Sequence, residues 1–89
     1  MARFEMLDPE SGPLGHANVS ADVFYELGMM YSTGRSVAPD LVSAHKWFNI
    51  AATRGNRDAI RLRREIAEEM SETEVAHAQR AARAWLTRH

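Results

Sequence analysis

Histidine and carboxylate side chains are the groups in this sequence that could carry out acid–base chemistry or bind a metal ion. The four histidines are His16, His45, His77 and His89. None lies three or four residues from another, so no helix would present two imidazoles at the spacing of a zinc site. The sequence contains no cysteine, which removes thiolate ligands, thiol nucleophiles and disulfides together. We therefore expect no metal and no cofactor.

Serine, histidine and acidic residues also occur without a motif that would bring them together as a catalytic group. The sequence has neither the Gly-x-Ser-x-Gly turn of a serine nucleophile nor a glycine-rich phosphate loop. A catalytic group built from these residues would need a nucleophile, a base and an orienting group within hydrogen-bonding reach. The sequence therefore predicts that the chain is not an enzyme.

Arginines recur at three- and four-residue spacing and could form a charged contact stripe. The stripe consists of Arg54, Arg57, Arg61 and Arg64. As a nucleic-acid site it would contact phosphates. However, acidic residues share the same helix, no aromatic residue is interleaved for base stacking, and the formal net charge is −1. An ion-paired, solvated face is the better interpretation; an acidic partner surface is an alternative, and a nucleic-acid-binding regulator is weaker.

The composition describes the kind of domain that must position these groups. The sequence has 89 residues, of which 45% are hydrophobic, so it can form one small folded domain. It shows no signal peptide and no transmembrane stretch. We expect a cytoplasmic protein that does not insert into a membrane. Lys46 is the single lysine among eleven basic residues, which hints at a GC-rich bacterial genome.

Hydrophobic periodicity predicts helices preceded by an irregular arm. Prolines and glycines interrupt residues 1–17, although Phe4, Met6 and Leu7 could dock on the helical domain at 18–89. A first helix is predicted at about 20–33, capped by Ser20 or Asn18 and ended by Gly34. Val23, Leu27, Met30 and Tyr31 recur at helical spacing on one face of this helix, which is the predicted inward face.

Three further helices follow from their start signals. Asp40 can cap a second helix that ends near Gly55, and Asn56 or Asp58 can start a third. Ser71 and Glu74 form a capping box that opens a fourth helix. No stretch alternates like a strand. The predicted fold is all-α, with two stacked antiparallel helical hairpins after the arm.

Residues 21–55 resemble a Sel1-like repeat, a tetratricopeptide-related α-α repeat. The family pattern has an L-G pair, a tyrosine, a glycine, a valine, an aspartate, an alanine, an aromatic residue, an A-A pair and a closing glycine. The matching positions are Leu27, Gly28, Tyr31, Gly34, Val37, Asp40, Ala44, Trp47, Ala51, Ala52 and Gly55. The remaining helices resemble a degenerate second repeat that caps the array. These matched residues are expected to build the scaffold.

The resemblance implies scaffolding, in which the first helix of a hairpin lines a groove that holds a protein or peptide. The residues of that helix not used by the repeat pattern are the expected contacts: Asp22, Tyr25, Glu26 and Met29. Tyr25 and Met29 would be apolar anchors, because such residues are enriched in interface cores, or they would pack against the arm.

Repeat hairpins bury their faces by stacking, and about three repeats are usually needed. One good repeat and a cap leave the N-terminal face of the first hairpin in need of a cover. The arm, a second copy of the chain or a different protein could supply it. We expect an adaptor that holds a partner protein; the alternatives are a permanent accessory subunit of a larger complex and a homo-oligomer.

Overall fold

The computed structural model describes the backbone of residues 15–89 and the side chains from residue 21 onward. Phe4, Met6, Leu7 and most of the predicted arm lie outside these residues. Within the described range the chain forms four helices and no strand, which confirms the predicted all-α class. The helices are α1 (Gly15–Thr33), α2 (Leu41–Thr53), α3 (Arg57–Ala67) and α4 (Glu72–Arg88).

Helix α2 lies at the centre of the described structure. Each of the other three helices packs against it, and α3 and α4 contact α2 more extensively than they contact each other. Consecutive helices are joined by short connections, so the arrangement is repeat-like, as predicted. Small buried side chains let the helices approach closely around the Phe48 ring. The main buried cluster contains Ala44, Phe48, Ala51, Ala59 and Ile66. Other buried apolar residues are Ala21, Ile50, Ala78 and Ala82.

Side-chain caps define the starts of the last three helices. The Asp40 carboxylate accepts from the Ser43 backbone N–H at 3.1 Å and from the Ser43 hydroxyl at 2.8 Å. These two hydrogen bonds hold the pKa of Asp40 below its ordinary value. Asn56 accepts from the Ala59 N–H at 2.8 Å, and the Ser71–Glu74 capping box is present. The predicted caps of α2 and α4 are confirmed, and Asn56 rather than Asp58 starts α3.

Gly34 ends α1, as predicted. Its φ is +77°, in the left-handed region that glycine adopts without steric cost. A Cβ at this position would lie 2.8 Å from Cγ of Pro39, so a side chain would also collide with the loop. The Gly34 N–H donates to the Met30 carbonyl at 2.9 Å, which satisfies one of the last carbonyls of the helix.

Helix α1 begins earlier than the sequence predicts. It starts at Gly15, so Asn18 and Ser20 lie inside the helix and are not its caps. The three residues at 15–17, assigned to the arm, are also helical. No proline or glycine follows Gly15 until Gly28, and asparagine or serine inside a helix costs only tenths of a kcal/mol. The helix therefore extends toward the N-terminus as far as Gly15.

The face that α1 turns toward α2 also differs from the prediction. Val23 is 52% exposed, and the half-buried Leu27 and Met30 line the same open depression rather than the core cluster. Ala21 and Gly28 are buried instead, and Phe24, Tyr25 and Met29 pack against the core. Tyr31 also packs against the core, as predicted. Gly28 explains the rotation, because a Cβ there would lie 2.5 Å from the Phe48 ring. Such close helix approach requires the glycine to face α2.

Candidate functional site

The side of α1 away from α2 carries three neighbouring apolar residues, Val23, Leu27 and Met30, which we call the outer strip. Their spacing of three and four residues places them on one line along the helix. The strip lines an open depression together with the carboxylates Asp22 and Glu26. Val23 is the most exposed large apolar side chain in the described part of the chain. An aliphatic and methionine surface of this kind suits contact with another apolar segment.

The two carboxylates beside the outer strip already have polar neighbours at the surface. Asp22 accepts from the side-chain amide of Asn56 at 3.2 Å. Glu26 forms an ion pair with Arg35 at 3.2 Å, and both of these side chains are 60% exposed. Exposed ion pairs contribute little stability, so a partner's cation can replace Arg35 at small cost.

The four residues expected to contact a partner are divided between two faces of α1. Asp22 and Glu26 lie at the outer strip. Tyr25 and Met29 are half-buried and pack against the core, with the Tyr25 and Phe48 ring centroids 5.8 Å apart. The apolar members of the open surface are therefore Val23, Leu27 and Met30, which the sequence assigned to the interior.

The predicted arginine stripe is not a row of four equivalent cations. Arg57, Arg61 and Arg64 are exposed on α3, and Arg61 forms an ion pair with Glu65 at 3.1 Å. Arg54 is half-buried and lies over aromatic rings of two other helices. Three arginines of the stripe are therefore exposed on α3, whereas Arg54 lies beside aromatic rings.

Three rings from three helices form an aromatic cluster that sequence reasoning missed. Phe24 of α1 stacks on Trp47 of α2, with centroids 5.8 Å apart and planes 3° apart. Trp85 of α4 meets Phe24 edge-on at 4.9 Å and Trp47 at 5.9 Å. All three are half-buried. No linear pattern links these positions, because only helix packing brings them together.

Cationic side chains border the aromatic cluster. The Arg54 guanidinium carbon lies 5.8 Å from the Phe24 ring centroid and 5.7 Å from that of Trp85. The Lys46 ammonium lies 4.3 Å from the centroid of Trp47. These distances fall within the range of cation–π attraction. His89 stacks on Trp85 at 4.2 Å.

His45 is a buried polar side chain on α2. It is 2% exposed, and its Nδ1 has no hydrogen-bond partner among the described residues. Burial lowers the pKa of His45, and the nearby Arg63 guanidinium lowers it further. Arg63 itself donates to the Asn49 amide oxygen at 2.7 Å, which holds its charge in place. The surroundings of His45 therefore favour a neutral imidazole.

The residues matched to the repeat pattern lie mostly at helix contacts and turns. Gly28, Ala44 and Ala51 are buried between helices, and Tyr31, Trp47 and Ala52 are half-buried. Gly34, Asp40 and Gly55 lie at helix ends, where Gly55 has a φ of +108°. Leu27 is the exception, since it lies on the outer strip rather than between the helices.

The described residues were also compared with the requirements of a metal site and of a membrane-spanning helix. No group of three histidine or acidic side chains there is arranged to hold a metal ion. None of its helices combines the length and apolar character needed to cross a bilayer. No family model, curated protein or solved structure matches the chain.

Proposed function

We propose that this chain is a non-enzymatic protein–protein interaction module, an adaptor that holds a segment of a partner protein against the outer strip of α1. The observation that carries the proposal is the apolar depression along Val23, Leu27 and Met30, which among the described residues is lined by α1 alone and where Val23 is 52% exposed. A helix that is apolar on two opposite sides can bury only one of them against α2. A binding partner would remove the second side from water.

The expected partner segment is amphipathic, with apolar side chains and at least one basic residue. Its apolar side chains would contact Val23, Leu27 and Met30. Its basic residue would meet Asp22 or Glu26, which lie beside the strip without a buried ion pair. Opposite charge at the rim of an interface speeds association and selects the partner.

An exchangeable adaptor fits the surface better than a permanent subunit. In the described part of the chain only Val23, at 52%, and Ile60, at 38%, are large apolar side chains with high exposure. Permanent interfaces are larger and more hydrophobic than exchangeable ones. The accessory-subunit alternative requires a more extensive apolar surface than these residues supply. A nucleic-acid role is weaker still, because Arg61 of the stripe is paired with Glu65.

The proposal includes membership of the Sel1-like repeat family and a bacterial, cytoplasmic setting. The family assignment rests on the matched residues of 21–55, and the repeat-like helix arrangement is compatible with it. The setting rests on composition, because Lys46 is the single lysine and a cysteine-free domain suits a reducing compartment.

The test compares the tagged chain with its Val23→Glu variant, using Ile60→Glu as the matched control. Both variants place a charge at an exposed apolar position, so circular dichroism should show that each retains its helices. Proteins recovered from extract of the native cells should be lost selectively with Val23→Glu. Equal recovery with both variants would move the binding surface away from the outer strip.

A photo-cross-linking amino acid at position 23 identifies what covers the strip. We expect a cross-link to a segment of another protein that contains both apolar and basic residues. A cross-link to residues 1–14 of the same chain, or to a second copy, would contradict the proposal. Sedimentation equilibrium of the purified chain separates these last two outcomes.

A further inference from the structure

We propose a second binding site, for an acidic segment of a partner protein, at the aromatic cluster where Arg54 lies beside Phe24 and Trp85. The site is independent of the outer strip. Phe24 follows Val23 in the sequence but lies about 100° further around α1, on the side that packs against the core. It is therefore a different surface with the opposite charge.

The Arg54 guanidinium lies beside two rings of the aromatic cluster. The guanidinium carbon is almost equally distant from the Phe24 and Trp85 centroids, at 5.8 and 5.7 Å. A guanidinium over aromatic rings loses side-chain freedom before any ligand binds. No described carboxylate pairs with this guanidinium, so its N–H groups can donate two parallel hydrogen bonds to one carboxylate of a partner.

The charge around the cluster favours an anion. The Lys46 ammonium lies 4.3 Å from the Trp47 centroid, and the His89 ring stacks on Trp85. Among the described residues, neither Lys46 nor Arg54 forms an ion pair with a carboxylate, although Arg61 and Arg35 do. Two cations that no described carboxylate pairs with lie next to half-buried rings. They provide both charge and apolar surface for an acidic segment that contains an apolar side chain.

A nucleic-acid strand fits the same surface less well. Base stacking requires an open ring face, whereas Phe24 and Trp47 stack on each other and Trp85 is covered by His89. Nucleic-acid affinity also grows with the number of neutralised phosphates, and the cluster presents few cations. The net charge of −1 adds no general attraction. These features select an acidic protein segment.

The experiment titrates the purified full chain with a short glutamate-rich peptide that contains one phenylalanine. Trp47 and Trp85 are the two tryptophans of the sequence, so intrinsic fluorescence reports on this cluster. We expect the peptide to shift the emission, and the same peptide with glutamine in place of glutamate to leave it unchanged. A single-stranded oligonucleotide of equal length serves as the competing ligand. No shift with the glutamate peptide would overturn the proposal, and so would tighter binding of the oligonucleotide.

Matched arginine variants locate the binding. Arg54→Gln should weaken peptide binding by about tenfold or more, since a charge-assisted hydrogen bond is worth roughly 1.5–3 kcal/mol. Arg57→Gln, at an exposed arginine of α3, should change it less than about twofold. Equal effects would indicate diffuse charge attraction and contradict a defined site. If Arg54→Gln does not fold, Lys46→Gln decides: unchanged affinity in that variant would overturn the proposal.

Discussion

Both sides of α1 carry apolar residues, but one side packs against the core and the other lines an open depression. The side toward α2 contains Gly28 and half-buried aromatic rings, and it contacts the Phe48 ring. The outer strip contains the larger aliphatic side chains, yet Val23 is 52% exposed. Side-chain hydrophobicity therefore does not decide which side of this helix is buried. Gly28 decides which side is buried, because its lack of a side chain allows α1 to approach the Phe48 ring of α2 closely.

This difference separates two roles within one helix. Residues toward α2 stabilise the fold, since their contacts are lost on unfolding. Residues of the outer strip contribute less to stability and remain available to a partner. Substitutions on the two sides should therefore differ in free energy of unfolding, even when they change similar numbers of atoms.

The largest effect is expected at Phe48, the ring that Gly28 approaches. Phe48 is 1% exposed, so Phe48→Ala should lower the free energy of unfolding by about 3–5 kcal/mol through lost burial and a cavity. Urea unfolding followed by circular dichroism measures this loss. Ile60→Ala, at a position 38% exposed, is the control and should cost less than about 1 kcal/mol. Similar losses in both variants would contradict the placement of the core.

A direct test of the two sides of α1 compares Gly28→Ala with Leu27→Ala. The Gly28 substitution adds one methyl group, which would lie 2.5 Å from two carbons of the Phe48 ring. Overpacking of this kind should cost about 1–3 kcal/mol, more than the gain in helix propensity. Leu27→Ala removes three carbons from the outer strip and should cost less.

Which of the two variants, Gly28→Ala or Leu27→Ala, has the lower melting temperature shows which side of α1 is buried. A lower melting temperature for Gly28→Ala supports the observed rotation of α1. A lower one for Leu27→Ala would restore the inward face of Val23, Leu27 and Met30 that periodicity predicts.

A smaller effect should appear as a pH dependence of stability from His45. Burial and then Arg63 lower the pKa of His45 in the folded chain, whereas the same imidazole in the unfolded chain has a pKa of about 6.5. The unfolded state therefore binds the proton more readily, so this contribution is fully present above that pH and decreases as the pH falls below it. The contribution of Asp40 is lost in a separate, more acidic window, as the pH falls below 3.8, its ordinary pKa.

Urea unfolding between about pH 7.5 and 5.5 measures the His45 contribution. His45→Leu should flatten this dependence, while His77→Gln, at an exposed position, should preserve it. An unchanged slope in His45→Leu would mean that the buried imidazole is not responsible.

Local signals in the sequence predicted the helix ends well. Asp40, Ser71 and Gly34 act within one turn of the backbone, so their roles do not depend on distant residues. The start of α1 was placed five residues late, because Ser20 and Asn18 resemble caps but nothing before them stops the helix until Gly15. Capping residues indicate where a helix can begin, and they do not force it to begin there.

The candidate surfaces were predicted less completely than the helices. Asp22 and Glu26 were identified, but their apolar neighbours were assigned to the interior. The reason is that α1 is apolar on two sides, so a helical period fits more than one face. The aromatic cluster gave no local signal, since Phe24, Trp47 and Trp85 come from three helices.

By itself the sequence determined the all-helical class, the four helices and most of their caps, because periodicity and capping act over a few residues. It also established the absence of cysteine and the near-neutral charge. Only the tertiary structure decided which side of α1 is buried, where Arg54 lies and which apolar residues stay exposed. These features depend on how closely helices approach, and that distance is set by contacts between residues far apart in the chain, such as Gly28 and Phe48.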